Sequence, residues 1–98
     1  MSKTIVWTPE SEKTFAGILS WLEKEWNDHV LLAFLDKVDQ VLALIAEKPE
    51  LYPAIDREKR VRKCVVVKQV SLFYTIKQDQ IDLLTFWDNR QNPERLSF

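Results

Sequence analysis

The stretch that most constrains this chain is residues 61–93. Three runs of β-branched and aromatic residues follow one another there: Val-Arg-Lys-Cys-Val-Val-Val from Val61, Ser-Leu-Phe-Tyr-Thr-Ile from Ser71, and Ile-Asp-Leu-Leu-Thr-Phe-Trp-Asp from Ile81. Such runs separated by short polar breaks read as strands. The breaks, around residues 68–71 and at Gln78-Asp79-Gln80, suit hairpins and are too short for helical crossovers, so neighbouring strands should run antiparallel. Strict alternation in the last run places Ile81, Leu83 and Trp87 on one face against Leu84 and Phe86 on the other, as in a strand covered on both sides, one cover being a candidate protein partner.

The upstream half reads as the cover for this sheet. Residues 3–7, Lys-Thr-Ile-Val-Trp, make a short strand to add to it. Thr8-Pro9-Glu10 then starts a helix, with Thr8 as N-cap, proline at the first helical position and Glu10 and Glu12 facing the positive end of the dipole. Phe15, Ile18, Leu19, Leu22 and Trp26 repeat on one stripe, with Trp21 off it. Asn27-Asp28 breaks the pattern, and a second helix carries Leu31, Phe34, Leu35, Val38, Val41, Leu42 and Ile45 on one face. It ends before Pro49, because the residue preceding proline is driven from the helical region. Residues 51–53 return the chain, and 56–60 form a charged, exposed connection. The expected fold is therefore α+β: a helical hairpin on a small, mainly antiparallel four-stranded sheet, in the order β-α-α-β-β-β.

A chain of 98 residues has room for one core, so 1–98 is expected to be a single domain. No apolar run approaches the roughly 18 residues of a membrane span, and the N-terminus lacks a basic segment followed by an apolar one, so a cytoplasmic location is expected. Cys64 is the only cysteine, His29 the only histidine and Gly17 the only glycine. No intrachain disulfide, His/Cys metal cluster or glycine-rich phosphate loop can be built from these, and no cofactor or metal is expected.

Net charge is −1 but uneven. Residues 1–50 carry five lysines against nine acids, whereas residues 51–98 carry nine basic side chains against six acidic ones. From Arg57 to Lys68 six basic residues face only Glu58, a strip suited to an acidic partner or phosphates, or else a solvated edge that resists aggregation.

Several short motifs join this order of elements. Ile5-Val6-Trp7-Thr8-Pro9, Trp26-Asn27, Pro49-x-x-Tyr52-Pro53, Val61-Arg62-Lys63, Ser71-Leu72-Phe73-Tyr74 and Phe86-Trp87-Asp88-Asn89-Arg90-Gln91-Asn92-Pro93 together resemble the RelE/ParE superfamily of type II toxin–antitoxin toxins, over nearly the whole chain. The resemblance implies a bacterial, cytoplasmic, growth-inhibiting toxin of plasmid-stabilisation type, neutralised by a cognate antitoxin. RelE-like members cleave mRNA in the ribosome and ParE-like members poison DNA gyrase.

The RelE-like ribonucleases place an arginine ahead of the Leu-x-Tyr of the third strand and a tyrosine near the C-terminus; here Ser71 and Leu96 stand there. Arg90 matches the arginine after the last strand, and Arg62 and Lys68 complete the set of candidate catalytic cations. A pI near 5.8 also suits a phosphate-walled site poorly. The long hairpin with Trp26 before a short polar turn resembles the ParE-like branch. Gyrase or another protein target, ribosome-dependent RNA cleavage and a non-toxic interaction module all stay open. So do a homodimer and a toxin–antitoxin hetero-oligomer.

Arg60, Arg62, Lys63, Lys68, Arg90 and Trp21 are the candidate antitoxin- or target-binding residues. Arg62 and Lys63 point to opposite faces of their strand, so one site can use only one of them. Asp88-Asn89-Arg90 reads as a clamp for phosphate or carboxylate, or as turn chemistry in which Asp88 pairs with Arg90 or Arg62. Tyr74 is expected in the core with its hydroxyl at the rim, Cys64 as a small buried hydrophobe, and His29 in a cap or solvent role.

Overall fold

A computed structural model describes residues 2–96. The elements are β1 (Thr4–Trp7), α1 (Pro9–Glu25), α2 (Asp28–Glu47), β2 (Ala54–Asp56), β3 (Val61–Val67), β4 (Val70–Lys77) and β5 (Gln80–Asp88), followed by a 3₁₀ turn at Pro93–Arg95. The strands form one sheet in the order β1-β5-β4-β3-β2. The meander β3-β4-β5 is antiparallel, and β1 adds parallel to β5. This is the expected α+β fold with one addition: β2, three residues long, lies antiparallel at the β3 edge. Its Ala-Ile-Asp carries no alternation long enough to read as a strand, and pairing with Val61 and Arg62 makes it one.

Local chemistry sets the helix ends. The Thr8 hydroxyl accepts from the Ser11 N–H at 3.2 Å, and Asn27 Oδ1 accepts from the Val30 N–H at 3.0 Å, each satisfying a donor that the first turn leaves unpaired. The stripe of α1 ends sooner than expected. The helix stops at Glu25, and Trp26 is its extended C-cap, 43% exposed, rather than a core residue. On α2, Phe34, Val38, Val41 and Ile45 are buried.

β5 departs from simple alternation. Tyr74 pairs with Leu83 but Phe73 pairs with Thr85, so Leu84 is an extra residue in a bulge. A bulge shifts the side-chain parity of its strand. Phe86 therefore joins Ile81 and Leu83 on the face that carries Leu72 and Tyr74, and Trp87 lies opposite Ser71 on the other. This corrects the expectation that grouped Trp87 with Ile81 and Leu83. Ile81, Leu83 and Phe86 are at most 2% exposed and pack in one core with Leu22, Phe34, Val38 and Ile45.

Beyond β1, the free edge of β5 is covered by α1. The Thr8 hydroxyl donates to Leu83 O at 2.6 Å, and Thr14 Oγ1 accepts from the Phe86 N–H at 2.9 Å. Two threonines thus satisfy backbone groups that an uncovered edge would leave to solvent. Trp7, Phe15 and Phe86 stack beneath that seam, with ring centres 4.9–5.5 Å apart.

Candidate interaction surface

The two residues of the hairpin turn, Trp26 and Asn27, bring the ends of α1 and α2 together beside the exit of β5. Leu22 enters the core and is 6% exposed. The preceding Trp21, off the stripe, is half-buried and packs at the edge of the core. Its ring meets Trp26 edge-on, centres 6.2 Å apart, and the Arg90 guanidinium stands 4.1 Å from its ring centre. Asp88 orients that guanidinium, accepting from Arg90 Nε at 3.0 Å and from Nη2 at 2.7 Å. The bond to Arg90 holds the Asp88 carboxyl below its ordinary range.

Asn89 ties this corner to the β3–β4 turn. Its N–H donates to Gln69 O at 2.7 Å and its Nδ2 to Lys68 O at 3.1 Å, while its Oδ1 accepts from the Ser71 hydroxyl at 2.8 Å. Ser71 is fully buried. The position where the ribonucleases carry an arginine is here a structural hydroxyl. Asp88 pairs with Arg90 and not with Arg62, and Arg90 serves as the arm of a closed corner, lying over the half-buried Trp21 beside the exposed Trp26.

Two depressions meet at Trp21. One, about 370 Å³, lies between α1 and β5 and is walled by Thr14, Gly17, Ile18, Phe86 and Trp87, with Asp88 and Gln91 also lining it. The other, about 290 Å³, lies between the hairpin and the β3–β4 turn, walled by Trp26, Val30, Phe34, Val67 and Val70, with Lys37 and Gln69 beside them. A Cβ built on Gly17 meets nothing within 4 Å, so no packing inside the chain calls for glycine there. Sequence reading missed this cavity. Its only signal was a lone glycine in mid-helix, a residue that weakens a helix by about 0.5–1 kcal/mol relative to alanine.

The other candidates fall elsewhere. Arg60 and Arg62 line a third groove with Arg57 at the opposite end of β3. Arg62 Nη1 donates to Tyr52 O at 2.6 Å and more weakly to Glu50 O at 3.3 Å. Lys63 lies on the face away from the helices, 6.0 Å from the Phe73 ring centre. Arg62 and Lys68 are six positions apart along the chain, roughly 20 Å in an extended strand. Lys68 stands at the Arg90 end. The cations weighed for RNA cleavage are therefore divided between two ends of the sheet. Tyr74 is fully buried and donates to Pro49 O at 2.8 Å. Burial pushes its phenol up to about 12, against the charge of Arg62, so it has no proton to exchange near neutrality. Burial likewise raises the Cys64 thiol, which is fully buried. His29 is exposed in the first turn of α2.

The model of the ParE toxin of the type II toxin–antitoxin system parDE matches residues 5–93, so the chain belongs to the ParE toxin family, within the RelE/ParE superfamily. A search of curated proteins by sequence found no match. Among solved structures, the fold is similar to the chromosomal ParDE toxin–antitoxin system of P. aeruginosa: TM-score 0.73, 11% identity, 89% of this chain and 96% of that one. It is also similar to a copper-bound mutant toxin from Helicobacter pylori: TM-score 0.64, 20% identity, 90% of this chain and 96% of that one. Both likenesses are of fold alone. No helix among the described residues is long and apolar enough to cross a membrane.

Proposed function

We propose that this single-domain chain is a cytoplasmic toxin held inactive by a cognate antitoxin, and that it arrests growth by binding a protein target, DNA gyrase being the first candidate. The observation that carries this reading is the corner of Trp21, Trp26 and Arg90 between two apolar depressions. Exposed tryptophan and arginine beside apolar depressions are the side chains that dominate protein–protein binding. The same corner carries little for RNA. Its arginine is already neutralised by Asp88, and of the other basic candidates only Lys68 stands at this end of the sheet. Ribosome-dependent cleavage is accordingly the weaker reading.

Induction of the chain alone in a bacterium should stop growth with signs of DNA damage. Co-expression of the adjacent reading frame should restore it, and purified chain should inhibit supercoiling by gyrase. Unimpaired growth at high expression would indicate a non-toxic interaction module, and new transcript ends within coding regions would restore the ribonuclease.

A further inference from the structure

At the far end of β3 from Trp21, the connection between β2 and β3 sets Arg57, Arg60 and Arg62 around an open groove of about 790 Å³. Among the described residues that line it, Glu50 is the one acid. None of the three arginines is in an ion pair among the described residues; the ion pairs are Lys77–Asp82 and Arg90–Asp88. Arg62 is the fixed member. Its Nη1 donates to Tyr52 O at 2.6 Å and to Glu50 O at 3.3 Å, which orients the guanidinium without cancelling its charge and leaves further N–H groups for a ligand.

The backbone supplies an independent observation. Among the described residues, the two non-glycine positions with positive φ are Arg60 at 57° and Gln78 at 29°, and both line this groove. A side chain held in that region costs on the order of 1 kcal/mol, and such strain collects at ligand sites. At each position a residue from another part of the chain grips the carbonyl: Thr75 Oγ1 donates to Arg60 O at 2.9 Å, and the Lys3 ammonium donates to Gln78 O. Lys3 thereby brings a fourth cation to the rim. Among the described residues no hydrogen bond or ion pair uses the Arg60 guanidinium, so folding alone favours glycine at this position.

The walls select the ligand by charge and shape. Guanidinium forks meet phosphate oxygens two at a time, and three forks present more donors than one phosphate can accept in good geometry. Glu50 opposes anions of low charge, so two linked phosphates are favoured over one. The arginines are clustered within 57–62 rather than drawn out along the sheet, and no aromatic ring lines the groove. A nucleic acid strand is held by longer cationic tracks with stacking platforms.

We propose that this groove binds a diphosphate group, as carried by inorganic pyrophosphate or by the phosphate tail of a free nucleotide. Arg62, already oriented, takes one phosphate, and Arg57 and Arg60 close on the other from the turn. With no ring to stack a base, the site reads the phosphates and not the nucleoside. It lies at the opposite end of the sheet from Trp21 and Arg90, so a ligand here and a protein at that corner can be held at once.

The test is calorimetric titration of the full chain with sodium pyrophosphate, ATP, orthophosphate, sulfate and adenosine in metal-free buffer at constant ionic strength. Wild type is compared with Arg57→Ala, Arg60→Gly and the double variant. Pyrophosphate and ATP should bind wild type equally well, orthophosphate and sulfate about tenfold more weakly, and adenosine not at all. The double variant should lose about tenfold in affinity for pyrophosphate. Arg60→Gly should unfold at a temperature no lower than wild type, which separates lost binding from lost folding. No binding of pyrophosphate by wild type, or unchanged affinity in the double variant, would overturn the site. Sulfate binding as tightly as pyrophosphate would reduce it to a general counterion patch, and tighter binding of a short single-stranded RNA through the same arginines would make it a nucleic-acid surface; either overturns it. These titrations involve neither target nor antitoxin, so the toxin reading is tested apart from them.

Discussion

The Arg90 guanidinium lies 4.1 Å from the centre of the Trp21 ring while Nε and Nη2 are held by the Asp88 carboxylate. An arginine locked on both sides is a rigid surface element rather than a mobile charge. Its planar fork and its stacking are both lost on substitution by lysine, which keeps only the charge.

Arg90→Lys and Trp21→Ala should therefore each weaken growth arrest on induction, to a similar degree. Arg90→Lys should leave the denaturant midpoint close to that of wild type, since an ion pair at an exposed guanidinium adds little to folding. Growth curves beside denaturant titrations check both. Full toxicity of Arg90→Lys would show that the corner is only a strand terminus.

Gly17→Ala should stabilise the chain by about 0.5–1 kcal/mol, because the new methyl meets no atom within 4 Å and the helix gains backbone order. Urea unfolding measures this. Gly17→Leu puts a larger side chain at the wall of the cavity between α1 and β5, and toxicity in growth curves should fall below that of Gly17→Ala.

Tyr74 sets an alkaline limit. Its phenol titrates at about 12 in the fold against 10.0 as its ordinary value. The folded chain thus retains a proton that the unfolded chain has lost. The stability tied to Tyr74 is fully present below pH 10 and is lost as pH rises towards 12. Cys64 and Tyr52 are raised too and act in the same sense. Tyr74→Phe should reduce the alkaline decline, and near neutrality should cost about 1–2 kcal/mol because Pro49 O loses its donor. Thermal midpoints from pH 8 to 12 compare the two chains.

Asp82 governs the acid side. Lys77 Nζ at 2.8 Å and Gln80 Nε2 at 2.7 Å hold its carboxyl below the ordinary range, the bond to Lys77 contributing most. Asp88 is lowered likewise by Arg90. Depressed carboxyls stabilise the fold above their unfolded value of about 3.9, and that stability drains as pH falls through the lower folded values. Asp82→Asn should lose on the order of 1 kcal/mol at pH 7 and show a shallower loss below pH 4, followed by circular dichroism.

Much of the fold was legible along the chain because local physics wrote it there. Thr8, Asn27 and Pro49 mark helix ends through bonds made or forbidden within a few residues, and the three β-rich runs admit only hairpins between them. The bulge at Leu84 was not legible. It follows from fitting β5 against β4 on one side and the threonines of α1 on the other, and it decides which face receives Phe86.

The order of residues was enough to specify the capped hairpin, the antiparallel meander, the burial of Tyr74 and Cys64, and which side-chain types were available for a site. How those side chains are grouped came from packing in three dimensions. Packing set Trp21 against Arg90 and added β2 as an edge, whereas Arg57, Arg60 and Arg62 share a groove because they are neighbours along the chain. The reason is range: caps and hairpins are settled by neighbours a few residues apart, whereas Trp21 and Arg90 meet across most of the chain.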